Sequence, residues 1–147
     1  MAWLLDVNVL IALMDSAHEH HDAALTWFLQ HEPEGWATCP VTENGFVRVL
    51  SGHGYPNISA TPGQAAHLLR RLKLAREGNH VFWPDDVSIA DPLSFSLDEL
   101  RGSRQVTDAY LVALCVRRGG RLATFDNAVP WKAVNGAAAD VVVGIGS

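Results

Sequence analysis

The sequence predicts an α/β fold, a central, mainly parallel sheet with helices on both faces, on the strength of two observations. Short apolar runs bounded by Gly, Pro or acidic residues alternate with longer stretches of helical periodicity along the whole chain. Several of those runs stop at an acid or a helix cap, as strands do when their carboxyl ends face a crevice that binds ligands. The length of 147 residues suits one domain, 1–147, able to bury most of its apolar surface.

The first strand is read at 2–5, ending at Asp6, with Asn8 capping a helix that carries Val9, Leu10, Ile11, Ala12 and Leu13. A polar turn follows, then a second helix over about 20–31 with Ala24, Trp27 and Phe28 on one face. His18, His20 and His21 cluster before it, but no Cys or third spaced ligand accompanies them, so they are read as solvent-facing. A break at Pro33-Glu34-Gly35 leads to a second strand, 36–39. Thr42 is then expected to cap a helix bearing Glu43 in its first turn, where the helix dipole favours an anion.

After a loose loop at 51–57, Thr61-Pro62-Gly63-Gln64 combines an N-cap, a proline at the first helical position and a capping-box glutamine. It opens a helix to about residue 76, with Arg70, Arg71, Lys73 and Arg76 on a face read as solvated. A third strand, 80–83, closes at Pro84, and 85–100 reads as loop and short helix. Thr107 is the expected N-cap of a largely apolar helix with Asp108 in its first turn. Gly119 or Gly120 provides its left-handed stop. A strand at 121–125 ends at Asp126; a short helix near 128–134 and a last strand at 140–145 complete the chain.

Composition narrows the function classes. A net charge of −5 argues against a protein that coats nucleic acid through bulk positive charge, although bound metal ions reverse local sign. No apolar run is long enough to span a membrane, and the start lacks a basic region and a small-residue cleavage site, so a cytoplasmic protein is expected. Cys39 and Cys115 are read as buried free thiols.

Four acids recur at equivalent points. Asp6 and Asp126 directly follow strands, while Glu43 and Asp108 lie in first turns of helices; in a parallel layer all four positions project to the carboxyl edge of the sheet. Two unit charges 4 Å apart repel by about 4 kcal/mol at an effective dielectric near 20. Such a group must take up protons or a hard cation, and all-oxygen ligands suit Mg²⁺ or Mn²⁺ rather than zinc. One such acid alone is most simply a helix cap; the signal is the repetition.

The stretches Leu4-Leu5-Asp6-Val7-Asn8-Val9-Leu10, Thr42-Glu43-Asn44-Gly45-Phe46, Gln105-Val106-Thr107-Asp108-Ala109-Tyr110 and Leu122-Ala123-Thr124-Phe125-Asp126 resemble those of PIN-domain ribonucleases, most of all the VapC-type toxins of toxin–antitoxin pairs. The resemblance runs from residue 1 to about 130 and keeps the order and spacing of the acids. It implies a three-layer α/β/α PIN-like fold and a Mg²⁺-dependent endoribonuclease, with Mn²⁺ able to substitute. It further implies an RNA substrate, transfer RNA among the candidates, a cognate antitoxin protein as partner, and a homodimer. Carried over by position, Asp6, Glu43, Asp108 and Asp126 are the implied catalytic and metal-binding acids. Asn8, Thr107 and Asn127 are expected to hold carboxylates or metal-bound waters in place. Arg104, then Arg101, are the expected phosphate contacts. A phospho-acceptor receiver fits poorly, because Asp6 lacks an adjacent acid and neither Lys73 nor Lys132 ends a strand. A non-catalytic RNA- or protein-binding module on the same fold remains the alternative.

Overall fold

A computed structural model describes residues 1–146. Five short strands form one sheet: β1 (Trp3–Leu5), β2 (Trp36–Thr38), β3 (His80–Phe82), β4 (Arg121–Thr124) and β5 (Val142–Gly144). Their order is β3-β2-β1-β4-β5 and every pairing is parallel, with Trp3 opposite both Trp36 and Arg121. Parallel neighbours need crossovers, and five helices accompany the strands: α1 (Val7–Met14), α2 (His21–His31), α3 (Pro40–Leu50), α4 (Pro62–Leu74) and α5 (Val106–Arg118).

Successive side chains of a strand point to opposite faces, so β1 feeds two cores. Trp3 and Leu5 pack with Val9, Leu10 and Leu13 of α1, Phe28 of α2, Phe46 and Leu50 of α3 and Leu69 of α4. Leu4 faces the other way, against Ala37, Leu122 and the α5 residues Leu111, Val112 and Leu114. The sheet is thus sandwiched between α1–α4 and α5, the predicted three-layer arrangement. Cys39 and Cys115 are free and buried. Among the described residues, no helix is long and apolar enough to cross a membrane.

The helix starts differ from the sequence reading in ways that matter for the site. Asp6, not Asn8, caps α1: its carboxylate accepts the N–H of Val7. A carboxylate directly after a buried strand serves the exposed N–H groups better than an asparagine already inside the first turn. α3 begins at Pro40, which supplies a preset φ at the first helical position. Thr42 lies inside the helix, where its hydroxyl accepts from Cys39 N at 3.0 Å and donates to Cys39 O at 3.1 Å. α5 starts one residue before Thr107, and Gly119, at φ 66°, takes the left-handed stop. The expected helix over 128–134 is a single 3₁₀ turn, Trp131–Ala133. Residues 84–105 are mostly irregular and are tied down by the bridge between Phe95 and Val134.

Candidate active site

The carboxyl edge of β1 and β4, together with the start of α5, brings Asp6, Asp108 and Asp126 close enough to perturb one another. Asp6 is 8% exposed. Its Oδ1 accepts from Val7 N at 2.8 Å and its Oδ2 from the Thr124 hydroxyl at 2.7 Å. Burial raises its carboxyl above the ordinary range; the Thr124 and Val7 hydrogen bonds pull it down, the Asp126 charge pushes it up, and the net shift is upward. Asp108, half-buried, is pushed up to about 7 by desolvation, then by the charges of Asp6 and Asp126 and a hydrogen bond shared with Asp126. Asp126 is exposed; its N–H donates to Thr124 Oγ1 at 3.0 Å and its Oδ1 accepts from Ala128 N at 2.8 Å.

Among the described residues, none of these three acids has a Lys, Arg or His in ion-pair contact. Among those residues, no three His, Cys, Asp or Glu side chains are grouped so that they could hold a metal ion by themselves. The donors that the edge presents are carboxylate and hydroxyl oxygens, and its charge is negative. That donor chemistry fits a hard divalent cation completed by water and a phosphate oxygen, the habit of Mg²⁺.

Glu43, the fourth of the expected acids, already has two partners of its own. Its Oε2 accepts from the Thr38 hydroxyl at 2.6 Å and from Lys73 Nζ at 2.7 Å, so helix α4 neutralises it. Thr38 has one proton, which it gives to Glu43, so His80 Nε2, 2.7 Å from Thr38 Oγ1, is the donor of that bond. His80 is held neutral, pushed down to about 4 by desolvation and then by the Lys73 charge, with Glu43 opposing. The chain His80–Thr38–Glu43–Lys73 locks α3 to α4 and to the ends of β2 and β3.

The expected supporting residues divide. Asn8 stands one bond removed from the acids: its Nδ2 donates to Thr124 Oγ1 at 3.4 Å and its Oδ1 accepts from Phe125 N at 3.3 Å. Thr107 and Asn127 are exposed, and the hydrogen bonds holding the carboxylates run through Thr124 and backbone N–H groups instead. Arg104 and Arg101 are both exposed in the lead-in to α5, and Arg101 N donates to Gln105 Oε1 at 2.7 Å. The sequence reading missed Thr124, the hydroxyl that joins Asp6, Asn8 and Asp126. Its signal was position alone, the last residue of a strand and two before an acid.

Comparison with known proteins places these features in a family. The PIN domain model matches residues 3–135. Ribonuclease VapC39 of Mycobacterium tuberculosis is 48% identical over 130 residues, 88% of this chain and 91% of that protein. Ribonuclease VapC44 of the same organism is 44% identical over 138 residues, 93% and 94% of the two chains. The crystal structure of Mycobacterium tuberculosis VapC20, described as a sarcin–ricin-loop-cleaving toxin, superposes with a TM-score of 0.62. That superposition covers 92% of this chain and 98% of that one at 13% identity, a likeness of fold.

Proposed function

This chain belongs to the PIN-domain family, and from that membership we propose that it is a VapC-type toxin, a divalent-cation-dependent endoribonuclease restrained by a cognate antitoxin. One observation carries the reading: Asp6, Asp108 and Asp126 lie near enough along the sheet edge for their charges to act on one another, with no cationic side chain in ion-pair contact among the described residues, and Asp6 and Asp108 are both pushed toward protonation. A purely structural cluster would be expected to carry its own counter-charge. Its relatives' name, ribonuclease, supports the same direction.

In this reading Asp6, Asp108 and Asp126 hold the cation, Mg²⁺ or Mn²⁺, which when bound supplies charge neutralisation to phosphodiester hydrolysis. Water adds to phosphorus and the bond to the leaving oxygen breaks. Asp6 is the anchor, since the Val7 N–H and the Thr124 hydroxyl fix both its oxygens. Asp108 carries a proton near neutrality and must release it to serve as a ligand. Glu43 is the fourth acid of the proposed metal-binding and catalytic set, and its carboxylate is paired with Lys73. Arg104 and Arg101 remain the proposed contacts to phosphate near the acids, and transfer RNA is the substrate to test first. A homodimer belongs to the same reading and is checked by light scattering.

The experiment is cleavage of total cellular RNA by antitoxin-free protein with Mg²⁺, with Mn²⁺ and with EDTA, beside Asp6→Asn. Discrete fragments that vanish with EDTA and with the variant are expected, and their ends name the target. Intact RNA under every metal would return the site to the non-catalytic binding module.

A further inference from the structure

Although the chain as a whole is acidic, two arginines without an ion pair among the described residues, Arg48 and Arg70, line one cleft. A cleft of about 710 Å³ opens between α3, α4 and the end of β3, lined by Arg48, Arg70, Lys73 and Phe82. A second cavity of about 400 Å³ shares Pro40, Asn44 and Arg48 with the first. Val7 and Thr107, the neighbours of Asp6 and Asp108 in the chain, form part of its wall. The two cavities therefore adjoin at Pro40, Asn44 and Arg48 and together run from the wall formed by Val7 and Thr107 to Phe82. Each holds one acid with a partner already in place: Glu43 is paired with Lys73, and Asp85 accepts the Tyr110 hydroxyl at 2.9 Å. Arg48 and Arg70 are exposed and, among the described residues, pair with no carboxylate.

Phe82 is 47% exposed at the end of an edge strand, with Lys73 Nζ 5.4 Å from its ring centroid. An exposed aromatic face in a groove that also carries two arginines without an ion pair is the pattern that takes single-stranded nucleic acid: cations follow phosphates and the ring stacks a base. A-form duplex would not offer an unstacked base to that ring.

We propose that this cleft is the track for a single-stranded RNA segment flanking the scissile phosphate, with Arg48 and Arg70 on its phosphates and Phe82 stacked on a base. The inference rests on the ribonuclease reading for its substrate class.

The test is fluorescence anisotropy of a labelled unstructured oligoribonucleotide in EDTA, run beside the cleavage assay with Mg²⁺. Arg48→Gln/Arg70→Gln should weaken binding at least about tenfold and flatten the slope of log affinity against log salt by about 1.4, two phosphate contacts' worth. Phe82→Ala should cost roughly tenfold, and Phe82→Trp should restore it. Arg48 and Arg70 are surface positions, and unchanged melting curves would certify the variants. Unaltered affinity and salt slope in the double variant would overturn the proposal, even with cleavage intact. So would variants that keep RNA affinity but lose a co-expressed antitoxin, which would make the cleft a protein-docking site. Arginine-dependent binding without cleavage under any metal would sustain the track and sink the nuclease reading.

Discussion

The Thr124 hydroxyl donates to Asp6 Oδ2 at 2.7 Å across 118 residues of sequence, and the same oxygen accepts the backbone N–H of Asp126 at 3.0 Å. One side chain at the end of β4 thus orients the acid that follows β1 and fixes the turn that presents the acid after β4. Parallel pairing of β1 with β4, which sets Leu5 opposite Ala123, makes this reach possible.

Thr124→Val keeps the shape of a fully buried residue and removes the donor. Asp6 then loses the bond that fixes its outer oxygen, and loss of such outer support typically costs 10–100-fold in metal affinity. Mg²⁺ or Mn²⁺ titration followed by thermal shift should show a loss in that range. Thr124→Ser, which retains the hydroxyl, should stay near wild type. Equal losses for both variants would mean the methyl group's packing matters and the hydroxyl does not.

Asp108→Asn should separate stability from function. An acid whose folded pKa is raised costs stability progressively as pH rises through that value, here about 7. Removing the charge therefore stabilises the metal-free protein above neutrality, by on the order of 1 kcal/mol once solvent screening is allowed for. In EDTA at pH 8 the variant should melt higher than wild type, while the rise in melting temperature on adding Mg²⁺ and the RNA cleavage should both disappear. A variant that melts lower in EDTA would show that Asp108 supports the fold.

The alternation of strands and helices was legible because its cause is local: apolar periodicity and turn residues act within a few positions. Thr61 and Gln64 form the expected capping box, each bonding the other's backbone N–H. What was not legible came from pairings that only folding creates. Nothing near Glu43 reveals that Lys73, 30 residues on, occupies its carboxylate. In the sequence Thr124 looks like any β-branched strand residue. The choice of Asp6 over Asn8 as the cap turned on where the strand stops, a boundary that periodicity leaves loose by a residue or two. The stretch 84–105 has no period to read, and long-range bonds such as Ser96 N to Ala133 O, at 2.8 Å, hold it.

Gly45 is a packing requirement of the same arm. A Cβ there would lie 2.7 Å from Val7 Cγ2, the residue after Asp6. Gly45→Ala gains helix propensity but must push α3 from α1, and overpacking of this kind costs about 1–3 kcal/mol. Denaturant melts should show that loss, and Val7→Ala in the same chain should recover part of it. Additive losses in the double variant would remove the clash as the cause.

The last relationship gives a pH signature away from the acids of the sheet edge. Asp15, 2% exposed at the end of α1, accepts from the Tyr55 hydroxyl, from Asn57 Nδ2 at 2.8 Å and from Ala17 N at 3.0 Å. Burial pushes its carboxyl up, but these bonds and the His18 charge outweigh it, and the net shift is downward. A carboxylate depressed in the folded state contributes its full stability above the unfolded pKa of about 3.9. That stability is lost as pH falls through the lower folded value. Tyr55→Phe removes one donor to a charged acceptor and should destabilise by roughly 1.5–3 kcal/mol at pH 7. Urea melts repeated toward pH 3 should show the gap between wild type and variant narrowing as Asp15 takes up its proton. A gap that stays constant across that range would mean that Tyr55 stabilises the loop by packing rather than through the carboxylate.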